Sequence, residues 1–164
     1  MRTILALVAF VAIVAAPNGV RAAPGAAALQ YYVGTWSCRA GLIGKPAVTS
    51  TVIYTLDAGL LREWVDVPPQ GKMATPYLNS IATSYDAAQG RYVQTGMDNT
   101  GFWWVSFAKP WTGNTEQWTN HAAADDQIRR YTWIRTTRNT FTFTEYPSPK
   151  ATKPTVRGTC TRSS

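Results

Sequence analysis

The chain has 164 residues and carries 16 Lys+Arg against 9 Asp+Glu, a formal net charge of +7. That length amounts to one domain, long enough to bury a core without metal or a network of disulfides. The basic residues are scattered, with one local concentration at Arg129, Arg130, Arg135 and Arg138 beside Asp125 and Asp126. Such an excess solubilises, or offers a face to anionic surfaces; the dense patch or recognised motif of a nucleic-acid binder is missing.

Residues 1–22 have the layout of a secretory signal peptide. Arg2 supplies the positive start, Ile4 to Ala16 form an uncharged apolar run, and Val20-Arg21-Ala22 places small residues where a signal peptidase reads. The run is too short to cross a bilayer core of roughly 30 Å as a helix. Cleavage after Ala22 would leave 142 residues with 14 Lys+Arg against 9 Asp+Glu, since Arg2 and Arg21 are lost. The expected destination is periplasmic or extracellular. No integral membrane segment is expected in the mature domain, residues 23–164, because no later stretch has the roughly 18 consecutive apolar residues a spanning helix needs.

Gly25 to Tyr32 can form one or two helical turns, capping one end of the domain with Leu29 and Tyr32. From there the chain is strand after strand, rich in Thr, Val, Tyr, Trp and Phe. The predicted strands are Val33 to Arg39, Val48 to Leu56, Leu60 to Val67, Asn79 to Tyr85 and Arg91 to Met97. They continue with Phe102 to Phe107, Thr115 to Thr119, Ile128 to Arg135, Thr140 to Tyr146 and Thr155 to Thr161. Asp57-Ala58-Gly59, Gln89-Gly90, Asn99-Thr100-Gly101, Gly113-Asn114 and Arg138-Asn139 supply the Gly or Asn that tight turns require. Two longer connections, Pro68 to Tyr77 and Pro147 to Pro154, are proline-rich and suit either the rim of an opening or plain surface loops. A meander of about ten antiparallel strands has two exposed edges, and closure removes both. The expected fold is all-β: a single antiparallel up-and-down β-barrel with a short N-terminal helix.

Cys38 falls in the first predicted strand and Cys160 in the last. A closed barrel sets those strands side by side, and an even cysteine count behind an export signal favours a disulfide over two reduced thiols. There is no Cys-x-x-Cys spacing, so neither redox chemistry nor a zinc site is indicated.

Gly34-Thr35-Trp36 resembles the Gly-x-Trp signature of the lipocalin and calycin superfamily, in which the Trp packs across the closed end of the barrel. The longer stretch from Tyr32 to Cys38, the run Tyr85 to Val93 and the segment Asp98-Asn99-Thr100-Gly101 look like uncharacterised secreted bacterial barrels of lipocalin-like or nitrobindin-like type. That resemblance implies a cup for small, mostly apolar ligands. Typical lipocalins carry a helix after the last strand, and none fits before Ser164. Nitrobindin-like barrels hold haem through a histidine near the C-terminus; His121 is the sole histidine, so haem is not carried over and no cofactor is expected.

Seven tryptophans are a heavy load, and in a small barrel they fill the lumen or line it. Trp36, Trp64, Tyr85, Trp104, Tyr131 and Trp133 are the expected ligand-binding residues. In Trp103-Trp104 the two rings must face opposite sides of the sheet. His121, expected in a loop near Asp125 and Asp126, is either solvated or an acid-base group; no second histidine or cysteine set joins it as a metal site. Glu63 and Asp66, three positions apart, point to opposite faces, and Asp98 suits a turn that bonds backbone amides. No catalytic motif appears. The leading reading is a binding protein for a small apolar or aromatic ligand. Its rivals are a cavity-free envelope interaction module and, third, an enzyme using His121.

Overall fold

Ten antiparallel strands follow a short helical segment in a computed structural model that describes residues 24–163; the expected signal segment, residues 1–22, lies outside them. Helix α1 (Pro24–Leu29) passes into a 3-10 turn (Gln30–Tyr32), then come β1 (Gly34–Leu42), β2 (Val48–Asp57), β3 (Leu60–Val67), β4 (Tyr77–Asp86) and β5 (Arg91–Asp98). The remainder are β6 (Trp103–Ala108), β7 (Thr115–Ala123), β8 (Arg130–Thr137), β9 (Thr140–Tyr146) and β10 (Val156–Arg162). Each strand pairs with its predecessor, and β10 returns to pair with β1, so the sheet is a closed barrel without edges. No helix among the described residues is long and apolar enough to cross a membrane.

Period-two burial builds the wall. In β3, Leu61, Glu63 and Val67 are buried while Arg62, Trp64 and Asp66 are exposed or half-buried. In β7, Glu116, Trp118 and Asn120 are buried around the exposed Gln117. Where β2 turns into β3, Ala58 and Gly59 both have positive φ, 46° and 84°, the geometry of a primed hairpin turn that matches the twist of the strands.

At the seam, Trp36 stands opposite Arg162, Cys38 opposite Cys160 and Ala40 opposite Gly158. Cys38 and Cys160 are joined by a disulfide that links positions 122 residues apart. The expected bridge between first and last strands is therefore present.

The two ends of the barrel differ. Hairpins 57–60, 86–91, 108–115 and 137–140 gather at the end where α1 sits. Loops 43–47, 68–76, 99–102, 124–129 and 147–155 gather at the other, so both proline-rich connections belong to the end opposite the helix. At the helical end Leu29, Tyr32 and Trp36 are almost wholly buried. Trp36 Nε1 donates to the Tyr32 carbonyl at 2.6 Å, and Phe141 packs edge-on against the indole. The Arg162 guanidinium lies 4.3 Å from the centre of the same ring and donates to the carbonyls of Tyr31, at 2.6 Å, and Val33. Gly34 has a φ of 127° and a Cβ there would press on Arg162, so both backbone and space favour glycine at this position.

Further strands hold the helical segment down. Arg135 Nη2 donates to the Ala28 carbonyl at 2.7 Å, answering one of the carbonyls a short helix leaves free. The Tyr92 hydroxyl donates to the Gly25 carbonyl at 2.8 Å. The Tyr31 hydroxyl, pointing the other way, donates to the carbonyls of Thr137 and Thr140 at 2.8 and 2.9 Å. The segment is a plug tied into the wall by bonds from β5, β8 and β10.

The disulfide should act mainly on the unfolded chain. The chain-entropy relation gives about 4 to 5 kcal/mol for a loop of this length as an upper figure. A Cys38→Ser, Cys160→Ser double variant is therefore expected to lose roughly 2 to 4 kcal/mol in urea unfolding. An unchanged midpoint would show that the strand pairing alone holds the seam.

Candidate ligand-binding cavity

Above the plug the lumen is not filled. A cavity of about 470 Å³ runs from Tyr54, Trp118 and Phe141 to the strand ends at Val48, Val67, Tyr77, Glu145 and Val156, with Arg129 from the adjoining loop. Those strand ends sit beside the loops at the end away from the plug, so that end is the mouth. A volume of this size falls within the usual range for small-molecule sites.

Two glycines shape it. Gly96 stands directly opposite Trp104 on the neighbouring strand, and Gly158 directly opposite Phe143. A Cβ at either position would overlap the facing ring. Without one, each ring lies flat on the wall across the neighbouring strand instead of standing up in the lumen. The floor is aromatic: Trp133 stacks on Phe141 at 5.7 Å with 20° between planes, and Trp118 lies 6.5 Å from Trp133.

One stretch of wall is polar. Thr83, Gln94, Ser106 and Asn120 stand opposite one another in turn across β4, β5, β6 and β7, all buried. Gln94 Nε2 donates to Thr83 Oγ1 at 3.3 Å and Ser106 Oγ to Asn120 Oδ1 at 2.7 Å, so the band satisfies much of its own hydrogen bonding. Gln94 also lines the cavity.

Carboxyl groups occupy three levels. At the mouth, Arg129 pairs with Asp125 and, at 3.4 Å, with Glu145. Deeper, Glu63 is 8% exposed and faces the lumen between Tyr54 of β2 and Ile81 of β4. Burial pushes its carboxyl up to about 8, against a hydrogen bond from the Tyr54 phenol that favours the charged form. Below the floor, Glu116 accepts from Trp118 Nε1 at 3.0 Å, and burial again raises the carboxyl to about 8, with that bond and Arg135 opposing. Among the described residues no three His, Cys, Asp or Glu side chains gather as a metal-ligand set.

Of the six aromatic residues expected to bind ligand, Trp104, Tyr131 and Trp133 line this cavity. Trp36 lies under the floor within the plug. Tyr85 is also at the plugged end, packed edge-on to Tyr92 at 5.2 Å. Trp64 faces outward and is 47% exposed; strand alternation gives the inward place to its neighbour Glu63. Trp103 likewise faces out and Trp104 in. His121 is not in a loop: it lies within β7 at the point where register shifts between β6 and β7, and it packs against Phe107 on the outer face. Asp98 accepts from the amides of Thr100 and Phe102 at 2.8 and 3.1 Å, the turn role its sequence suggests.

Glu63, Tyr54, Trp118, Phe141 and Phe143 line the cavity, and sequence reasoning does not single them out as ligand contacts. The signal that could have found Glu63 is parity: Leu61, Val65 and Val67 share its alternate positions, so their burial carries Glu63 inward with them.

No protein-family profile and no curated protein matches the chain. Among solved structures, the crystal structure of Rv2717c from M. tuberculosis is similar over 88% of this chain and 100% of its own, at 10% identity and a TM-score of 0.60. A redesigned β-barrel, b11L5F_LGL, aligns over 84% of this chain and 96% of its own, at 12% identity and a TM-score of 0.46. EF1p2_mFAP2b bound to DFHBI aligns over 85% and 99%, at 12% identity and a TM-score of 0.39. At such identities the likeness to the M. tuberculosis protein is one of fold.

Two measurements test this geometry. Glu63 and Glu116 bind protons in the folded state at pH values where the unfolded chain has released them. Stability from these groups therefore falls as pH rises from about 4.5 to about 8 and levels off above. Urea midpoints across that range should decline, and Glu63→Gln with Glu116→Gln should flatten the slope; an unchanged slope would mean both carboxyls are solvated. Separately, Gly96→Leu should lift the Trp104 ring into the lumen and cost about 1 to 3 kcal/mol as overpacking. The check is urea unfolding together with a shifted tryptophan emission maximum.

Proposed function

We propose that this chain is an exported binding protein whose barrel takes a small apolar or aromatic molecule. The observation that carries the reading is the cavity of about 470 Å³, walled by aromatic rings and held open by Gly96 and Gly158. Apolar contact would supply most of the affinity, at roughly 25 cal/mol per Å² buried, and the few polar groups would orient the guest. The Cys38–Cys160 bridge suits an oxidising compartment, in keeping with the signal-like residues 1–22 and a periplasmic or extracellular location.

The rival reading as an interaction module also has an observation behind it. Ile53, Trp64, Ser80, Met97 and Trp103 stand opposite one another in turn across the outer face of β2 to β6, and the four apolar members are at least 43% exposed. Its premise of a filled lumen does not match the cavity, so the binding reading is preferred.

N-phenyl-1-naphthylamine, uncharged at neutral pH, should bind the oxidised protein saturably, gaining emission while tryptophan emission is quenched. Val65→Trp, which puts an indole into the cavity wall, should weaken this by about tenfold or more, the loss of ~1.4 kcal/mol. A flat titration of the parent protein would overturn the proposal.

A further inference from the structure

The cavity does not share the basic excess of the chain. The whole sequence has a net charge of +7, yet apart from tyrosine phenols the ionisable side chains on the cavity wall are Glu63, Glu145 and Arg129. Arg129 is already held by Asp125 and Glu145. Glu63 remains, more than nine-tenths buried, aimed into the lumen and making no ion pair among the described residues. An isolated buried carboxyl is costly to keep charged, and a cation brought by a guest would compensate it.

The surroundings of Glu63 suit such a guest. Tyr54 stands beside it on β2. On the other side the register runs from Glu63 to Ile81 to Gly96, and over Gly96 lies the flat face of Trp104. Aromatic faces are electron-rich and attract organic cations, most strongly where water is excluded. A carboxyl with a phenol beside it, and an indole face two strands along the same wall beyond Ile81, thus has the elements of a receptor for a delocalised positive charge.

We propose that the cavity selects a planar organic cation, an aromatic or conjugated molecule bearing a protonated nitrogen, whose N–H binds the Glu63 carboxylate while its ring system lies against Trp104. This rests on reading the cavity as a ligand site and names the chemistry of the ligand. The titratable and charged groups around Glu63 are few. Tyr54 adjoins it on β2, and β4 offers Ile81 beside it, with Tyr77 towards the mouth. Across the lumen stand Tyr131 of β8 and the Arg129–Glu145 pair, with Tyr32 and Glu116 below the floor. Of these, Tyr54 is the one that bears on its ionisation. With the free carboxyl raised to about 8, Glu63 is protonated at pH 7, so a cation that pairs with it sends that proton to the buffer.

The test uses the oxidised protein and two tricyclic probes of similar size: 9-aminoacridine, cationic at neutral pH, and acridone, neutral. Affinities come from tryptophan quenching, and calorimetry in buffers of differing ionisation enthalpy counts protons. At pH 7 the cation should bind about tenfold or more tighter than acridone, release about one proton, and weaken by a similar factor in Glu63→Gln. A urea unfolding transition like the parent's reports that the variant is folded, and in it the cation's advantage over acridone should be lost. Should the variant fail to fold, the proton count on the parent protein decides. If acridone binds as tightly as the cation, if no proton is released, or if Glu63→Gln leaves the cation's affinity unchanged, the cation preference is overturned while the cavity reading stands. If neither tricycle binds but N-phenyl-1-naphthylamine does, this proposal again fails alone. If all three fail, both readings fall.

Discussion

The pairing of β1 with β10 is the constraint on which the rest depends. A ten-strand sheet left open would expose two ladders of backbone donors and acceptors, and its inner face would have no opposite wall. Closure supplies both. It sets Trp36 against Arg162 and Cys38 against Cys160, so the plug and the covalent bridge lie along the same seam. The plug in turn needs that seam, because the Arg162 side chain that anchors Tyr31 and Val33 comes from β10.

A closed barrel of this size is not obliged to be hollow. Seven tryptophans and eight tyrosines could close the lumen with side chains. Two devices prevent that here. Aromatic bulk is concentrated at the plugged end, where Tyr32, Trp36, Trp133 and Phe141 pack on one another. Nearer the mouth, glycines opposite Trp104 and Phe143 let those rings lie down against the wall. The interior is therefore divided into a dense floor and a roomy cup, and the same residue types serve both according to what faces them.

Much of the architecture was legible because each of its signals is local. Strand-favouring runs of Thr, Val, Tyr, Trp and Phe, turn residues between them, and the Gly34-Thr35-Trp36 run at the first strand need no knowledge of partners. The cysteine pairing follows once closure is assumed. The lining was harder, because it depends on which parity faces inward, and that is set by register around the whole barrel. Trp64 and Glu63 are adjacent; aromatic size favours Trp64, which faces outward, while the hydrophobic company of Leu61, Val65 and Val67 points to Glu63. The shift in register at His121 has no turn residue to announce it, so a strand residue resembled a loop residue. The roles of Gly96 and Gly158 were hidden altogether, since each depends on a ring from the neighbouring strand.

The sulfur atoms that clasp the barrel belong to residues of its inner wall: Cys38 and Cys160 are both among the cavity's lining and both nearly inaccessible to solvent. A thiol reagent must therefore enter by the mouth, past Arg129 and its carboxylate neighbours, along the route any guest would take. Occupancy and covalent integrity consequently share one doorway, and a molecule seated in the cup also stands guard over the clasp.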